Sequence, residues 1–83
     1  MKINIRKSAI KDLKNIPKDE KERIYNKIME LKNFPEIPNI KKLSNFEPAY
    51  RLRVGNYRIL FDVFEDNIEI GRILHRKESY KKI

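Results

Sequence analysis

The clearest alternation of apolar and polar residues runs through residues 49–64, AYRLRVGNYRILFDVF. Gly55 and Asn56 separate two runs of β-forming residues, and glycine at the first central position is typical of a type II′ turn. A two-residue turn fixes the pairing of the strands, so that Arg53 lies opposite Arg58. The stretch therefore predicts a β-hairpin, around which the other elements are arranged.

The two faces of this hairpin are predicted to differ in charge. Directly opposed residues share a face, and the cationic face gathers Arg51, Arg53 and Arg58. Like charges placed opposite one another are destabilising, by roughly 0.2–1 kcal/mol, so this arrangement points to a polyanionic ligand. The other face is apolar and carries Tyr50, Leu52, Val54, Tyr57, Ile59, Phe61 and Val63.

The residues before the hairpin predict a short strand and a first helix. Residues 2–5 alternate between polar and apolar side chains, which suits a strand at a sheet edge. Ser8 is the expected N-cap of the helix that follows. The apolar stripe of this helix consists of Ala9, Ile10 and Leu13.

A second helix is predicted to begin at Pro17, because proline is favoured at the first helical position. Pro35 disfavours helical geometry at Phe34, so the helix should end near Asn33. Its buried stripe is expected to include Ile24, Ile28 and Leu31, widened by Tyr25 and Met29.

Residues 34–48 contain three prolines and no sustained hydrophobic period. They predict an irregular connection that is pinned to the core by Ile40 and Leu43. Lys41 and Lys42 lie on this connection and are candidates for binding phosphate.

A further strand is predicted over residues 68–75, after a turn at residues 66–67. In the register that this turn implies, Arg58 lies opposite His75 on the cationic face. Arg72 then falls on the apolar face. Either its stem reaches an edge of the sheet, or a bulge near Gly71 shifts the strand.

Together these elements predict an α+β domain. Two N-terminal helices pack on one face of a small, mainly antiparallel sheet of about four strands, and the arginine face is left open. A length of 83 residues is that of one domain. No repeat, low-complexity tract or linker divides residues 1–83.

Composition narrows the classes of function. The net charge of +8 favours nucleic acid or an acidic partner. Without cysteine there can be no disulfide, and a single histidine makes a structural zinc site an unlikely expectation. No metal or other cofactor is expected. The sequence has no apolar run long enough to cross a membrane and no signal-peptide core, so we expect a cytoplasmic protein.

The candidate chemical groups are predicted to converge at one end of the sheet; they are Arg51, Arg53, Arg58, His75, Arg76 and Tyr80. Cleavage of RNA needs a base for the 2′-hydroxyl, cations for the transition state and an acid for the leaving oxygen. Arginine can only supply the positive charge, because its pKa is above 12. His75 and Tyr80 are the groups that can move protons, and Tyr80 can also stack on a base.

Simpler interpretations of the same residues exist. A single histidine near a strand end is more often structural than catalytic, and the same holds for a tyrosine near a C-terminus. Binding of nucleic acid without catalysis explains the three hairpin arginines equally well. The residues alone therefore indicate a small basic domain that binds nucleic acid.

The runs YRLRVGNYRILFDV and ILHRKESY resemble the RelE branch of the RelE/ParE superfamily of toxins from type II toxin–antitoxin pairs. The order of strand, two helices and three strands is similar to that fold across nearly the whole chain. The resemblance implies a metal-independent, ribosome-dependent mRNA endonuclease that inhibits translation and is held inactive by a cognate, RelB-like antitoxin.

The resemblance also implies roles for individual residues. Arg58 and Arg76 match the arginines that stabilise phosphate charge in the family, and Tyr80 matches its catalytic tyrosine. Arg51 and Arg53 stand where some members have lysine. Because arginine cannot act as a base there, the proton transfer is expected to fall to Tyr80 or His75.

Two alternatives remain. A ParE-like inhibitor of DNA gyrase belongs to the same superfamily but does not cleave RNA. A gyrase inhibitor has no need of the pair His75–Arg76 with the following Tyr80, so these C-terminal residues favour the ribonuclease interpretation. A non-catalytic RNA-binding protein would bind RNA in a salt-dependent manner and yield no cut products.

Overall fold

The computed structural model describes residues 1–43 and 48–78. Within these residues, five strands form one sheet in the order β1-β5-β4-β3-β2. Strands β1 and β5 are parallel, and the other neighbours are antiparallel. The predicted α+β class and the mainly antiparallel sheet are confirmed. The elements are β1 (Lys2–Ile5), α1 (Lys7–Lys14), α2 (Lys18–Glu30), a 3₁₀ turn (Leu31–Asn33), β2 (Ile40–Lys42), β3 (Tyr50–Val54), β4 (Tyr57–Phe64) and β5 (Asn67–His75).

Strand β2 lies within the stretch that was predicted to be irregular. It pairs with β3, placing Ile40 opposite Leu52 and Lys41 opposite Arg51. Three residues are too few to show an alternating pattern, and Ile40 is the one apolar residue among them. The sheet therefore has one strand more than the sequence pattern predicts.

The central hairpin is confirmed in turn position and in register. Arg53 lies opposite Arg58, as predicted. Gly55 has a φ of 57°, and Asn56 does not have a positive φ. A positive φ confined to the first central residue matches a type II′ turn, and glycine adopts it without a steric penalty.

The main core lies between the helices and one face of the sheet. Phe61 is fully buried at its centre, where its ring stacks on Tyr50 at a centroid distance of 5.4 Å and meets Phe34 edge-on at 6.0 Å. The buried side chains of this core are Ala9, Ile16, Ile24, Ile28, Leu31, Leu52, Val54, Ile59, Phe61, Ile68, Ile70 and Ile73.

Helix α1 begins slightly earlier than predicted. Arg6 is its N-cap residue, whereas Ser8 lies inside the helix and donates a hydrogen bond from Oγ to the carbonyl of Gly71, at 2.6 Å. Ala9 is fully buried, but Ile10 remains 44% exposed. The prediction of Ser8 as N-cap and of Ile10 as a core residue was therefore wrong, because this short helix buries a narrow stripe against β5.

Helix α2 begins at Lys18, one residue after the predicted start, and Pro17 is its N-cap residue. Its predicted stripe of Ile24, Ile28 and Leu31 is buried. Tyr25, which was expected to widen the stripe, is instead 50% exposed. Helical geometry ends with the 3₁₀ turn at Asn33, as predicted.

The predicted register between β4 and β5 is wrong. The chain reverses at residues 65–66, so that Phe64 pairs with Asn67. Glu65 adopts a left-handed φ of 55°, a conformation in which non-glycine residues other than Asn, Asp and His are rare. The glutamate therefore gives no sequence signal for this turn, and the Asp-Asn pair beside it gives a misleading one.

A bulge at Gly71 changes the pairing again. Phe61 pairs with Ile70 and Leu60 with Arg72, so Gly71 has no partner on β4. This is the predicted alternative in which a bulge moves Arg72 off the apolar face. Beyond the bulge, His75 lies opposite Tyr57 rather than opposite Arg58.

The guanidinium of Arg72 reaches the edge of the sheet and binds Asp12 of α1. Its Nε and Nη2 donate to the two carboxylate oxygens at 2.8 and 3.2 Å, and the N–H of Ile73 donates to Oδ2 at 2.9 Å. The hydrogen bond to Asp12 raises the pKa of Arg72. Asp12 thus holds the end of β5, from which the chain continues to Arg76.

Replacing Asp12 should destabilise the fold more than replacing an exposed partner of an ion pair. Asp12→Ala leaves the partly buried N–H of Ile73 without its acceptor, and we expect the free energy of unfolding in urea to fall by about 2 kcal/mol. The control is Arg6→Ala, since Arg6 lies 3.8 Å from Glu69 and is largely exposed. It should cost about 0.5 kcal/mol or less. Equal losses in the two variants would contradict a special role for Asp12.

Candidate nucleic-acid interface

The turn between β3 and β4 brings two of the predicted site residues together. Arg58 is 7% exposed, and its Nη1 donates to the carbonyls of Gly55 and Tyr57, both at 3.0 Å. The backbone N–H of Arg76 donates to the carbonyl of Asn56 at 2.7 Å. The same two-residue turn therefore fixes the Arg58 guanidinium and the start of the segment after β5.

The face opposite the helices carries the predicted cations in two rows across the sheet. One row runs from Arg53 through Arg58 to Leu74. The other row runs through Lys41, Arg51, Leu60 and Arg72. The prediction that Arg51, Arg53 and Arg58 share a face is thus confirmed.

This face is not left open along its whole length, contrary to prediction. Leu43, Leu60 and Leu74 form a second, smaller apolar cluster among the cations. Leu74 and Arg58 are buried, whereas Arg53 is exposed. The exposed positive charge of the hairpin is therefore concentrated toward β3.

The two lysines of β2 point to opposite sides of the sheet, because successive strand residues alternate in direction. Lys41 pairs with Arg51 and lies on the cationic face. Lys42 pairs with Tyr50 and lies on the helix side. Of these two predicted phosphate-binding residues, the structure places Lys41 alone beside the arginines.

His75 lies on the helix side of the sheet, so its predicted place on the cationic face is wrong. Its ring meets the ring of Tyr57 edge-on at a centroid distance of 5.4 Å. Its Nδ1 accepts a hydrogen bond from the backbone N–H of Lys77 at 3.3 Å. This hydrogen bond ties the imidazole to the helical turn at residues 76–78 and so helps to orient that turn. Arg76, in the same turn, is exposed.

Tyr57 is a neutral donor in this arrangement. Burial, then a hydrogen bond to Glu20 and the nearby charges of Glu20 and Glu78, raises the pKa of its hydroxyl from the usual 10.0. A phenol with a raised pKa stays protonated at neutral pH, so Tyr57 is unsuited to act as a base. It connects the hairpin to α2 instead.

Arg23 of α2 also belongs to the surroundings of the turn, and sequence analysis missed it. A β-carbon placed on Gly55 would lie 3.5 Å from a guanidinium nitrogen of Arg23. Arg23 was not singled out from the sequence, because no local signal distinguishes it from the other charged residues of α2. Its position depends on how α2 crosses the sheet.

Tyr80, the remaining predicted catalytic residue, lies outside the described residues. Within residues 1–43 and 48–78, no three histidine, aspartate or glutamate side chains gather closely enough to hold a metal ion. In the same part of the chain, the helices are too short and too polar to cross a membrane.

Comparisons with known proteins agree with this architecture. The family model for the ParE toxin of the type II toxin–antitoxin system parDE matches residues 3–80. Toxin RelE3 of Methanocaldococcus jannaschii is 40% identical over 84 residues, which cover 96% of each chain.

Solved structures give the same result. The RelB–RelE antitoxin–toxin complex from Methanococcus jannaschii matches with a TM-score of 0.80 and 36% identity, over 95% of this chain and 96% of that chain. The archaeal RelE–RelB complex from Pyrococcus horikoshii OT3 matches with a TM-score of 0.76 and 26% identity, over 90% and 93%. The isolated Escherichia coli RelE toxin shares the fold, with a TM-score of 0.73 at 16% identity over 98% and 96%. On the family match and the 40% identity, the chain belongs to the RelE/ParE superfamily of toxins from type II toxin–antitoxin systems.

Proposed function

We propose that this toxin is a ribosome-dependent mRNA endonuclease, which cleaves without a metal ion in the cytoplasm and so inhibits translation. The observation that supports the proposal most directly is the attachment of Arg58 and the Arg76 segment to one turn. Identity to a relative named RelE supports the choice of the ribonuclease branch.

Arg58 is suited to stabilise charge in a transition state. Two backbone carbonyls fix its Nη1, and burial limits the motion of its side chain. A donor that is already oriented does not need to reorganise when negative charge develops on the scissile phosphate. We therefore assign Arg58 and Arg76 to the phosphorane-like transition state, with Arg51, Arg53 and Lys41 binding the flanking RNA backbone.

The proton transfers are assigned to Tyr80 and His75. A phenol titrates near pH 10 in water, and neighbouring guanidinium groups favour its phenolate. Tyr80 follows Arg76 by four residues and is proposed as the base or as a stacking platform for a nucleobase. His75 is proposed as an orienting or secondary proton-transfer residue, and its hydrogen bond from Lys77 supports the orienting role.

Dependence on the ribosome fits the distribution of charge. The sequence has 20 lysines and arginines against 12 acidic residues, and part of the positive charge lies on α1 and α2, away from the cationic face of the sheet. Such a surface favours attachment to structured RNA through many weak phosphate contacts. We propose that these contacts position the small site on mRNA bound to the ribosome.

An acidic, RelB-like antitoxin is the proposed partner, in a hetero-oligomer with this toxin. Solved relatives are complexes of RelE with RelB. In this chain, Ile10 and Tyr25 leave apolar side chains exposed on α1 and α2, and the net charge is positive. A partly disordered acidic chain that folds on binding can cover both the apolar and the cationic surfaces.

Removal of Arg58 or Arg76 should lower the rate of mRNA cleavage much more than the affinity for ribosomes. Arg76→Ala should lower the rate of mRNA cleavage on ribosomes about 10²–10³-fold, because one donor to the transition state is lost. Arg58→Ala should have a similar effect, and its thermal unfolding must be compared with wild type because Arg58 is buried. Affinity for ribosomes, measured by co-sedimentation, should change much less. Arg6→Ala, remote from the turn, is the control.

Two results would count against this function. Equal losses of ribosome binding and cleavage would make both arginines docking residues only. Inhibition of gyrase supercoiling by the wild-type chain, without cut mRNA, would favour the ParE-like alternative suggested by the name of the matching family model.

The antitoxin should relieve toxicity and bind in a salt-sensitive manner. Co-expression with the small acidic protein encoded beside the toxin should restore growth. Raising the ionic strength from about 0.01 to 1 M shortens the Debye length from about 30 to 3 Å, so titration calorimetry should show weaker association at high salt. Unchanged toxicity in the presence of the neighbouring gene would contradict the pairing.

Conservative variants should identify the base. Tyr80→Phe keeps the ring for stacking and removes the hydroxyl, so single-turnover cleavage should fall strongly if the phenolate is the base. His75→Gln should have a smaller effect, because glutamine can still accept a hydrogen bond. Loss confined to His75→Gln would reverse the assignment, and full activity in both variants would exclude both side chains as proton carriers.

A further inference from the structure

We propose that Arg23 of α2 binds an RNA phosphate and extends the RNA-binding site from the hairpin across the β3–β4 turn onto the helices. This inference rests on the proposed endonuclease function and adds to it a residue on the opposite side of the turn from Arg58.

Arg23 lies directly against the turn. The two terminal nitrogens and the central carbon of its guanidinium lie 3.5–3.8 Å from the position that a β-carbon of Gly55 would occupy. Arg58 approaches the same residue from the other side, with Nη1 at 3.0 Å from the carbonyl oxygen of Gly55. Two guanidinium groups from different elements therefore converge on one glycine.

Arg23 forms no ion pair within the described part of the protein. No hydrogen bond or ion pair to its guanidinium is present among residues 1–43 and 48–78. Helical spacing offers two carboxylates, Asp19 and Glu20, four and three residues earlier on α2, and neither forms an ion pair with Arg23. Glu20 instead accepts a hydrogen bond from Tyr57. By contrast, Arg6, Lys27 and Arg72 each have an acidic partner.

The missing side chain of Gly55 gives room to Arg23. Because glycine carries no β-carbon, the guanidinium of Arg23 can lie close to the backbone of the turn. The exposed guanidinium of Arg23 offers a planar set of donors that can bind a phosphate through two hydrogen bonds. A phosphate backbone that passes over the helix side of the turn would meet the positive charge of Arg23.

The salt dependence of RNA binding tests this proposal. The probe is a fluorescent single-stranded RNA of about ten nucleotides, with 2′-O-methyl groups that prevent cleavage. Binding is followed by anisotropy between about 50 and 200 mM salt. Arg23→Gln should weaken binding about tenfold at low salt. It should also lower the slope of log K against log salt by about 0.7, as expected for one lost phosphate contact on a single strand.

Two variants serve as controls. Arg23→Lys keeps the positive charge but loses the planar donors, so it should retain the salt slope and bind with intermediate affinity. Arg6→Gln removes one guanidinium from a site paired with Glu69 and should leave the slope near the wild-type value. Arg23 is exposed on its helix, and equal thermal stability of the three variants would show that folding is not the cause.

The outcomes separate this inference from the proposed function. If Arg23→Gln and Arg6→Gln show the same affinity and slope, while wild type binds RNA, the assignment of Arg23 is overturned and the endonuclease proposal stands. Weaker binding of Arg23→Gln to an acidic antitoxin, with RNA binding unchanged, would assign Arg23 to the antitoxin interface and also overturn the inference. Failure of the wild-type chain to bind either RNA or ribosomes would overturn both.

Discussion

The reversal of the chain at Gly55 is the constraint on which the candidate site depends. Its left-handed φ closes the hairpin in two residues and sets the register that places Arg53 opposite Arg58. The carbonyls exposed by this reversal then hold the Arg58 side chain and the backbone of Arg76. A longer loop would need further residues to position these groups, whereas the tight turn does so with its own backbone.

The arginines near this turn experience different environments. Arg58 is buried beside a small leucine cluster and fixed by carbonyls, whereas Arg53 opposite it is exposed. Burial of a cation is costly unless it is hydrogen-bonded, and the carbonyls of the turn supply such bonds. The pair therefore divides into a buried, hydrogen-bonded cation and an exposed one, which suits different tasks toward the same polyanion.

The sequence predicted the helices and most of the strands better than it predicted the register between β4 and β5. The register of the β3–β4 hairpin was predicted correctly, because the glycine turn and the two alternating runs are both compatible with that one register. The β4–β5 register was wrong because the actual turn uses Glu65 in a left-handed conformation and because Gly71 adds an unpaired residue. The turn shifts the register by two residues, which leaves each side chain on its face, so the one-residue bulge is what moved His75 to the helix side. Strand β2 and Arg23 could not be predicted, since their positions depend on tertiary packing rather than on a local pattern.

The contacts of α1 with β5 bear on how this sheet avoids aggregation. Strand β1 pairs with β5 as far as Ile70, and beyond that point the edge of β5 would present bare backbone groups to other chains. Ser8 donates to the carbonyl of Gly71, and Asp12 accepts the N–H of Ile73. Unpaired strand edges are templates for edge-to-edge association. Ser8 and Asp12 thus bind backbone groups of β5 that a neighbouring strand would otherwise bind. In this way α1 protects the part of the edge that β1 does not cover.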